Sequence, residues 1–255
     1  MARGPSMSRA LRPGPGSMRG LEWLARVGPS PLDPWRFAMG WSEVAARSHA
    51  RRLERQGWLE RCAMVRGQGS LFFATRKGVR VLGLPLVAAT SPSAMWWAHD
   101  SGCAWTAAWA TVRGRRYLGP RELLNDPEWS GELMWTDRHS TKRSGHRPDL
   151  IAFLDDDRAI PIEVELANKS KTRLDAILNL HVGWLVARKS NALIYICGDQ
   201  EGYRRIERAA EKVGLVTTEG LLRLEMLDTI KDQTITAAHA CGVSERLELH
   251  EFRHG

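Results

Sequence analysis

RPDLIAFLDDDRAIPIEVELANKS, Arg147 to Ser170, holds the residues on which the fold of this chain turns. Leu150 to Leu154 is an unbroken apolar run, the pattern of a strand covered on both faces. Asp155, Asp156 and Asp157 then supply a turn, where aspartate is favoured for its local hydrogen bonds. The chain returns with Ile160, Ile162, Val164 and Leu166 on one face of a strand and Pro161, Glu163 and Glu165 on the other. Two readings of the acids are open here. Glu163 and Glu165 are solvated on an amphipathic edge strand, or they join Asp149, at the head of the preceding strand, around a cation.

Outward from this hairpin the periodicity changes. Ser170 is placed to cap a helix whose Leu174, Ile177, Leu178, Val182 and Leu185 form an apolar stripe. ALIYIC, Ala192 to Cys197, reads as another buried strand, followed by a helix from about Gln200 to Lys212. Upstream, GELMWTDRH from Gly131 has strand character. Before it runs a long Trp- and Ala-rich helix, about Ala94 to Val112, apolar nearly all round, with His99 and Asp100 in its middle, a pair read as a satisfied core or capping group before a site. The expected order is helix, three strands, helix, strand. LRLEML and RLELHEF, near the C-terminal end, are strand-like pieces without an assigned place.

The first third differs in charge. Residues 1–90 hold 15 Lys and Arg against 5 Asp and Glu, while residues 91–255 hold 22 against 24. A basic module facing a polyanion, joined to a near-neutral module, accounts for that asymmetry. Within it, GWSEVAARSHARRLERQGWLERC places Ala46, Ala50 and Leu53 on one helical face and turns Arg47, Ser48, Arg51, Arg52 and Arg55 outward. Two strands around Gly67-Gln68-Gly69 follow, then a helix capped by Thr75. Helix, helix, Arg-rich helix, hairpin, helix is similar to the winged helix-turn-helix of bacterial regulators. That resemblance implies that the Arg-rich helix enters the major groove of double-stranded DNA and that the hairpin, with Arg66 at its tip, touches backbone or minor groove. An ordinary helical subdomain with a solvated Arg face remains the alternative.

Composition excludes other classes. The four cysteines, Cys62, Cys103, Cys197 and Cys241, are scattered, with no C-x-x-C pair and no nearby His at ligand spacing, so neither a zinc site nor a disulfide framework is expected. No apolar run reaches membrane-spanning length, and the first twenty residues, rich in Arg, Gly and Pro, read as a basic tail rather than a signal peptide. A cytoplasmic protein is expected. Its expected divisions are a flexible basic tail at 1–18, a DNA-binding unit at 19–88 and a second unit at 93–255.

The element order of the second unit resembles the restriction-endonuclease-like core, αβββαβ, of the PD-(D/E)XK nuclease superfamily. Pro148-Asp149 stands for the first half of its motif, and Glu163-Val164-Glu165 stands where D/E-x-K belongs. The resemblance implies a mixed α/β fold, Asp149 and Glu163 as ligands of Mg²⁺ or Mn²⁺, and Glu165 as the residue that positions the attacking water. Lysine is missing from that third position, and Lys169, just past the strand, is the candidate for its charge. EVELANKSKTRL, with RPDLIAF and AHDSGCAWTAAWATVRG before it, more narrowly resembles the replication-relaxation family of actinobacterial mobile elements, related to MobC-type plasmid relaxases. This implies a DNA nickase or endonuclease, with a homodimer and replication or conjugation proteins as further candidate partners. The alternatives are a non-catalytic DNA-binding regulator with a degenerate nuclease fold and an adaptor for an acidic protein. His99, Asp100 and Glu122 are held in reserve as extra metal ligands.

Overall fold

The computed structural model describes residues 13–63, 69–89, 91–137, 140–167, 169–215 and 220–241. It is a mixed α/β protein, and none of its described helices is long and apolar enough to cross a membrane.

The N-terminal part opens with α1 (Pro15–Val27), α2 (Leu32–Met39) and α3 (Glu43–Arg55). Helix α1 takes in Pro15 to Met18, which composition alone assigned to the tail. The Ser42 hydroxyl caps α3 by accepting from the Ala45 amide at 3.2 Å, satisfying one of the donors a helix start leaves open. Gly57, at φ +66°, turns the chain out of α3 in the left-handed region that glycine enters without strain. An antiparallel pair follows, β1 (Leu59–Ala63) and β2 (Ser70–Ala74), and then α4 (Arg76–Leu82), capped by Thr75 as expected.

The second part is built on a five-stranded sheet. Helix α5 (Trp97–Val112) leads to β3 (Tyr117–Leu118), the short α6 (Pro120–Leu123), β4 (Gly131–Asp137) and β5 (Ser140–His146). Then come β6 (Leu150–Phe153), β7 (Ala159–Glu165), α7 (Lys171–Val186), β8 (Leu193–Cys197), α8 (Gln200–Lys212), β9 (Leu222–Met226) and α9 (Leu227–Ala240). The sheet order is β3-β6-β7-β8-β9, antiparallel as far as β7 and parallel from β7 to β9. Helices α7 and α8 are the crossovers that parallel neighbours require.

One expectation needs correction. The strand GELMWTDRH does not join the main sheet. As β4 it pairs with β5 in a separate hairpin that packs on α7, and the two-residue β3 borders β6 instead. Neither β3 nor β5 has a readable period, the first for its length, the second because STKRSGH is polar on both faces. The expected apolar stripe of α7 is present: Leu174, Ile177 and Leu178 are buried, Val182 and Leu185 are partly buried against the same cluster as Leu174 and Leu178, and His181 and Trp184 join the buried face. LRLEML forms β9, the outer parallel strand, and α9 follows it; RLELHEF lies outside the described residues.

Helix α5 lies across one sheet face, over Ile162 and Val164 of β7, while α7 and α8 cover the other around Leu178, Tyr195 and Ile206. Gly102 sets how close α5 comes. A Cβ there would meet side-chain carbons of Val164 and Leu166 at 2.8 Å. Gly102→Val is expected to lift α5 from the sheet and to cost about 1–3 kcal/mol, read as a lowered urea midpoint. The same α5 packs on α2, where Phe37 and Trp105 have ring centroids 6.0 Å apart. The largest apolar cluster runs without a break from Leu21 and Trp35 through Ala104 and Ala108 to Ile162 and Ile196.

Candidate metal centre

The strand β7 is not an edge. It lies between β6 and β8, and Glu163 and Glu165 are only 1% and 4% exposed. The reading of solvated glutamates on an outer face is thereby excluded. Carboxylates this deep require partners, since an unpaired buried charge is strongly unfavourable.

Glu163 has two imidazoles. The Nε2 atoms of His146, at the end of β5, and His181, on α7, each lie 2.8 Å from its Oε1. Burial pushes the Glu163 carboxyl up, but His146 and then His181 outweigh it and hold the group well below the usual carboxylate range. Reciprocally, Glu163 raises His146 against the lowering effect of burial. Glu165 is held by the ammonium of Lys169, four residues on, and has Nη2 of Arg205 at 3.8 Å from its Oε1. Burial works against the charge on Lys169; Glu163 and Glu165 restore it and raise its pKa.

Asp149 stands beside them through the register of β6 on β7. Its amide donates to the Ile162 carbonyl at 3.0 Å, and its Oδ2 accepts from the Val164 amide at 2.7 Å. Its Oδ1 is 3.1 Å from Nε2 of His99, on the first turn of α5. That nitrogen is also 3.6 Å from Sγ of Cys103, one turn further along. Burial opposes the charge on His99, yet Cys103 and Asp149 raise its pKa. Burial pushes the Cys103 thiol up to about 11.

Asp149, Glu163, Glu165 and Lys169 thus line one cleft, of about 540 Å³, together with His99 and His146. Its rim carries Lys142, Arg147 and Arg173, and two indoles: Trp96, 57% exposed, and Trp135, with the Arg173 guanidinium 5.6 Å from its ring centroid. The donors fit a hard divalent cation, because Asp149, just before β6, and Glu163, on β7, both line the cleft with carboxylates and the second is kept ionised.

Other candidates lie elsewhere. Arg47, Arg51, Arg52 and Arg55 are exposed on α3 with Ser48 half-buried among them, and none of the five lines the cleft. Arg47 is paired with Glu43 at 2.6 Å. Arg66 lies outside the described residues. Asp100 does not line the cleft, and burial pushes its carboxyl up to about 6 despite His99 and Arg121. Glu122 is a structural residue, accepting from the Gly119 amide at 2.8 Å at the start of α6 and pairing with Arg26 at 3.0 Å. Sequence reasoning missed His146, His181 and Cys103. His181 was visible as a polar residue on an apolar stripe, and Cys103 as the residue one turn from His99; His146, in a polar strand, gave no signal.

No family model and no curated relative matches the sequence. Among solved structures, the crystal structure of protein VC1899 from Vibrio cholerae is similar at 14% sequence identity and a TM-score of 0.33, over 92% of this chain and 53% of that one. The chain therefore spans about half the length of that protein.

Proposed function

We propose that this chain is a DNA-binding protein whose acid cleft is a metal-dependent nuclease centre, nicking or cutting phosphodiester bonds. In this reading the first unit is a winged helix-turn-helix that holds double-stranded DNA. The second is a PD-(D/E)XK nuclease-like domain of the relaxase-like kind found on mobile elements and plasmids. The observation that carries it is the pair Glu163 and Glu165, nearly fully buried on a central strand yet lining the cation-rimmed cleft that Asp149 also lines.

Asp149 and Glu163 would hold Mg²⁺ or Mn²⁺. Such an ion polarises the phosphodiester and makes hydroxide available near neutral pH. The chain supplies the rest. His146 and His181 fix one oxygen of Glu163 and keep it charged, as outer partners do for metal-binding carboxylates. The Val164 amide fixes Oδ2 of Asp149. The Lys169 ammonium, held by Glu165, would supply the charge of the missing motif lysine and is suited to orienting the attacking water or to meeting charge on the phosphate. The rim suits a nucleic-acid strand, with cations for phosphates and Trp96 and Trp135 for stacking against bases.

The test is conversion of supercoiled plasmid bearing DNA from around its own gene. Wild-type protein is expected to nick it with Mg²⁺ or Mn²⁺ and to leave it intact in EDTA. Binding without nicking in either metal would sink the catalytic half and leave a DNA-binding regulator. For the first unit, Arg51→Ala with Arg52→Ala is expected to weaken duplex binding on the order of 100-fold and to lower the salt slope by about one per lost phosphate contact. Unchanged anisotropy titrations would remove α3 from the interface.

A further inference from the structure

The two histidine clusters of the cleft differ in kind. At Glu163, one carboxylate oxygen accepts from two separate N–H donors at 2.8 Å each, which an oxygen with two lone pairs can do. At His99 the situation is reversed: one nitrogen, Nε2, meets two partners, Asp149 Oδ1 at 3.1 Å and Cys103 Sγ at 3.6 Å. With its proton, that nitrogen serves Asp149 and turns an N–H toward a sulfur that accepts weakly. Without it, its lone pair faces a carboxylate oxygen. A cation between the three atoms would meet all three lone pairs at once.

The spacing agrees with this. Zinc–nitrogen and zinc–oxygen bonds of about 2.0–2.2 Å and a zinc–sulfur bond of about 2.3 Å, set tetrahedrally, place nitrogen about 3.5 Å from sulfur and about 3.3 Å from oxygen. The separations here are 3.6 and 3.1 Å, and all three ligand atoms lie within 4.8 Å of one another. His99 and Cys103, four residues apart on α5, share one helix face, and the closeness of α5 to β7 at Gly102 brings that face to Asp149.

We propose that Nε2 of His99, Sγ of Cys103 and Oδ1 of Asp149 form a three-ligand site for a thiophilic divalent cation of the zinc class, with its fourth position open to the cleft. Sulfur, imidazole and a single carboxylate oxygen select zinc, cobalt or cadmium over magnesium, which takes oxygen donors. Binding breaks the Cys103 S–H bond, forms a metal–sulfur bond and releases one proton to solvent; a protonated His99 gives up a second. The consequence for activity rests on the nuclease reading. With Oδ1 of Asp149 on the zinc-class ion and Oδ2 held by the Val164 amide, the zinc-class ion acts as an inhibitor that draws this carboxylate away from the magnesium centre.

The full chain, stripped of metal, is titrated with Co²⁺ and followed by absorption. Expected are visible bands of tetrahedral cobalt and a near-ultraviolet thiolate-to-cobalt band, saturating at one ion per chain and erased by one equivalent of Zn²⁺. Cys103→Ser is expected to lose the thiolate band and to weaken Co²⁺ binding by more than about 100-fold, beyond what loss of an outer partner costs. Cys62→Ser with Cys241→Ser should keep both. If wild-type protein gives no thiolate band, or the band survives Cys103→Ser, the site is overturned; the wild-type titration decides even if a variant fails to fold. The cobalt spectrum does not depend on cleavage, so a chain that cuts no DNA leaves it decisive. In a chain that does cut, Zn²⁺ should stop nicking in wild-type protein and not in Cys103→Ser; equal inhibition of both would overturn the regulatory half.

Discussion

Asp149→Asn is expected to bring metal-dependent nicking to background, a loss on the order of 1,000-fold or more, with binding to DNA unchanged. The expected loss exceeds the 10- to 100-fold that follows removal of an outer partner, because the variant removes a proposed ligand itself. Asparagine is suited to this test. Its side-chain oxygen can still accept from the Val164 amide, which bonds Asp149 Oδ2 at 2.7 Å, so the junction of β6 and β7 is kept while the negative charge is lost. Plasmid nicking measured beside fluorescence anisotropy separates the outcomes. Cleavage that survives in the variant would remove Asp149 from the centre. Joint loss of cleavage and binding would assign it to holding DNA.

Glu163→Gln is expected to act on activity and stability together. Glu163 sits buried between His146 and His181, and removing the charge leaves two imidazoles against an amide. Breaking a buried pair from one side typically costs about 3–5 kcal/mol, a large part of a domain's net stability. The pH dependence follows from the directions of the shifts. Glu163 is held below its ordinary value of 4.5, so its contribution is present above that value and lost as pH falls through the lowered one. His146 is raised above 6.5, so its contribution is full below that value and lost as pH rises through the raised one. The gap between wild type and Glu163→Gln should therefore be widest between about pH 4.5 and 6.5 and should narrow toward alkaline pH. Urea unfolding across that range would show it, and a gap that is flat with pH would mean that the histidines do not hold the carboxylate through charge.

Much of the arrangement was legible where burial is written in periodicity. The run Leu150 to Leu154, the alternation through Glu165 and the stretch Ala192 to Cys197 identify three strands of the main sheet, and α8 falls at the expected residues. The caps Ser42, Thr75 and Ser170 mark three helix starts because each places an oxygen over open amides. Asp149, Glu163, Glu165 and Lys169 do share a cleft. What stayed hidden depends on contacts distant in sequence. The placement of β4 with β5 rather than with β6 is decided by packing against α7, and the pairing of His146 and His181 on Glu163 spans 17 and 18 residues. Nothing local in GHRPD distinguishes a histidine held by a buried glutamate from one in solvent, and the apolar stripe around His181 marks it as buried without naming Glu163 as its partner.

The unbroken apolar cluster that joins α1 and α2 to α5 and the sheet has a thermodynamic meaning. Removing the chain up to α4 would strip α5 of its cover at Trp105, break the 3.2 Å bond from Trp23 Nε1 to Thr111 Oγ1 and free the Tyr117 carbonyl from Arg26, 2.8 Å away. The two halves are therefore bound into one cooperative melt. Whatever grips the N-terminal helices also steadies the helix that carries His99, so occupancy of one end of the molecule registers as resistance to unfolding at the other.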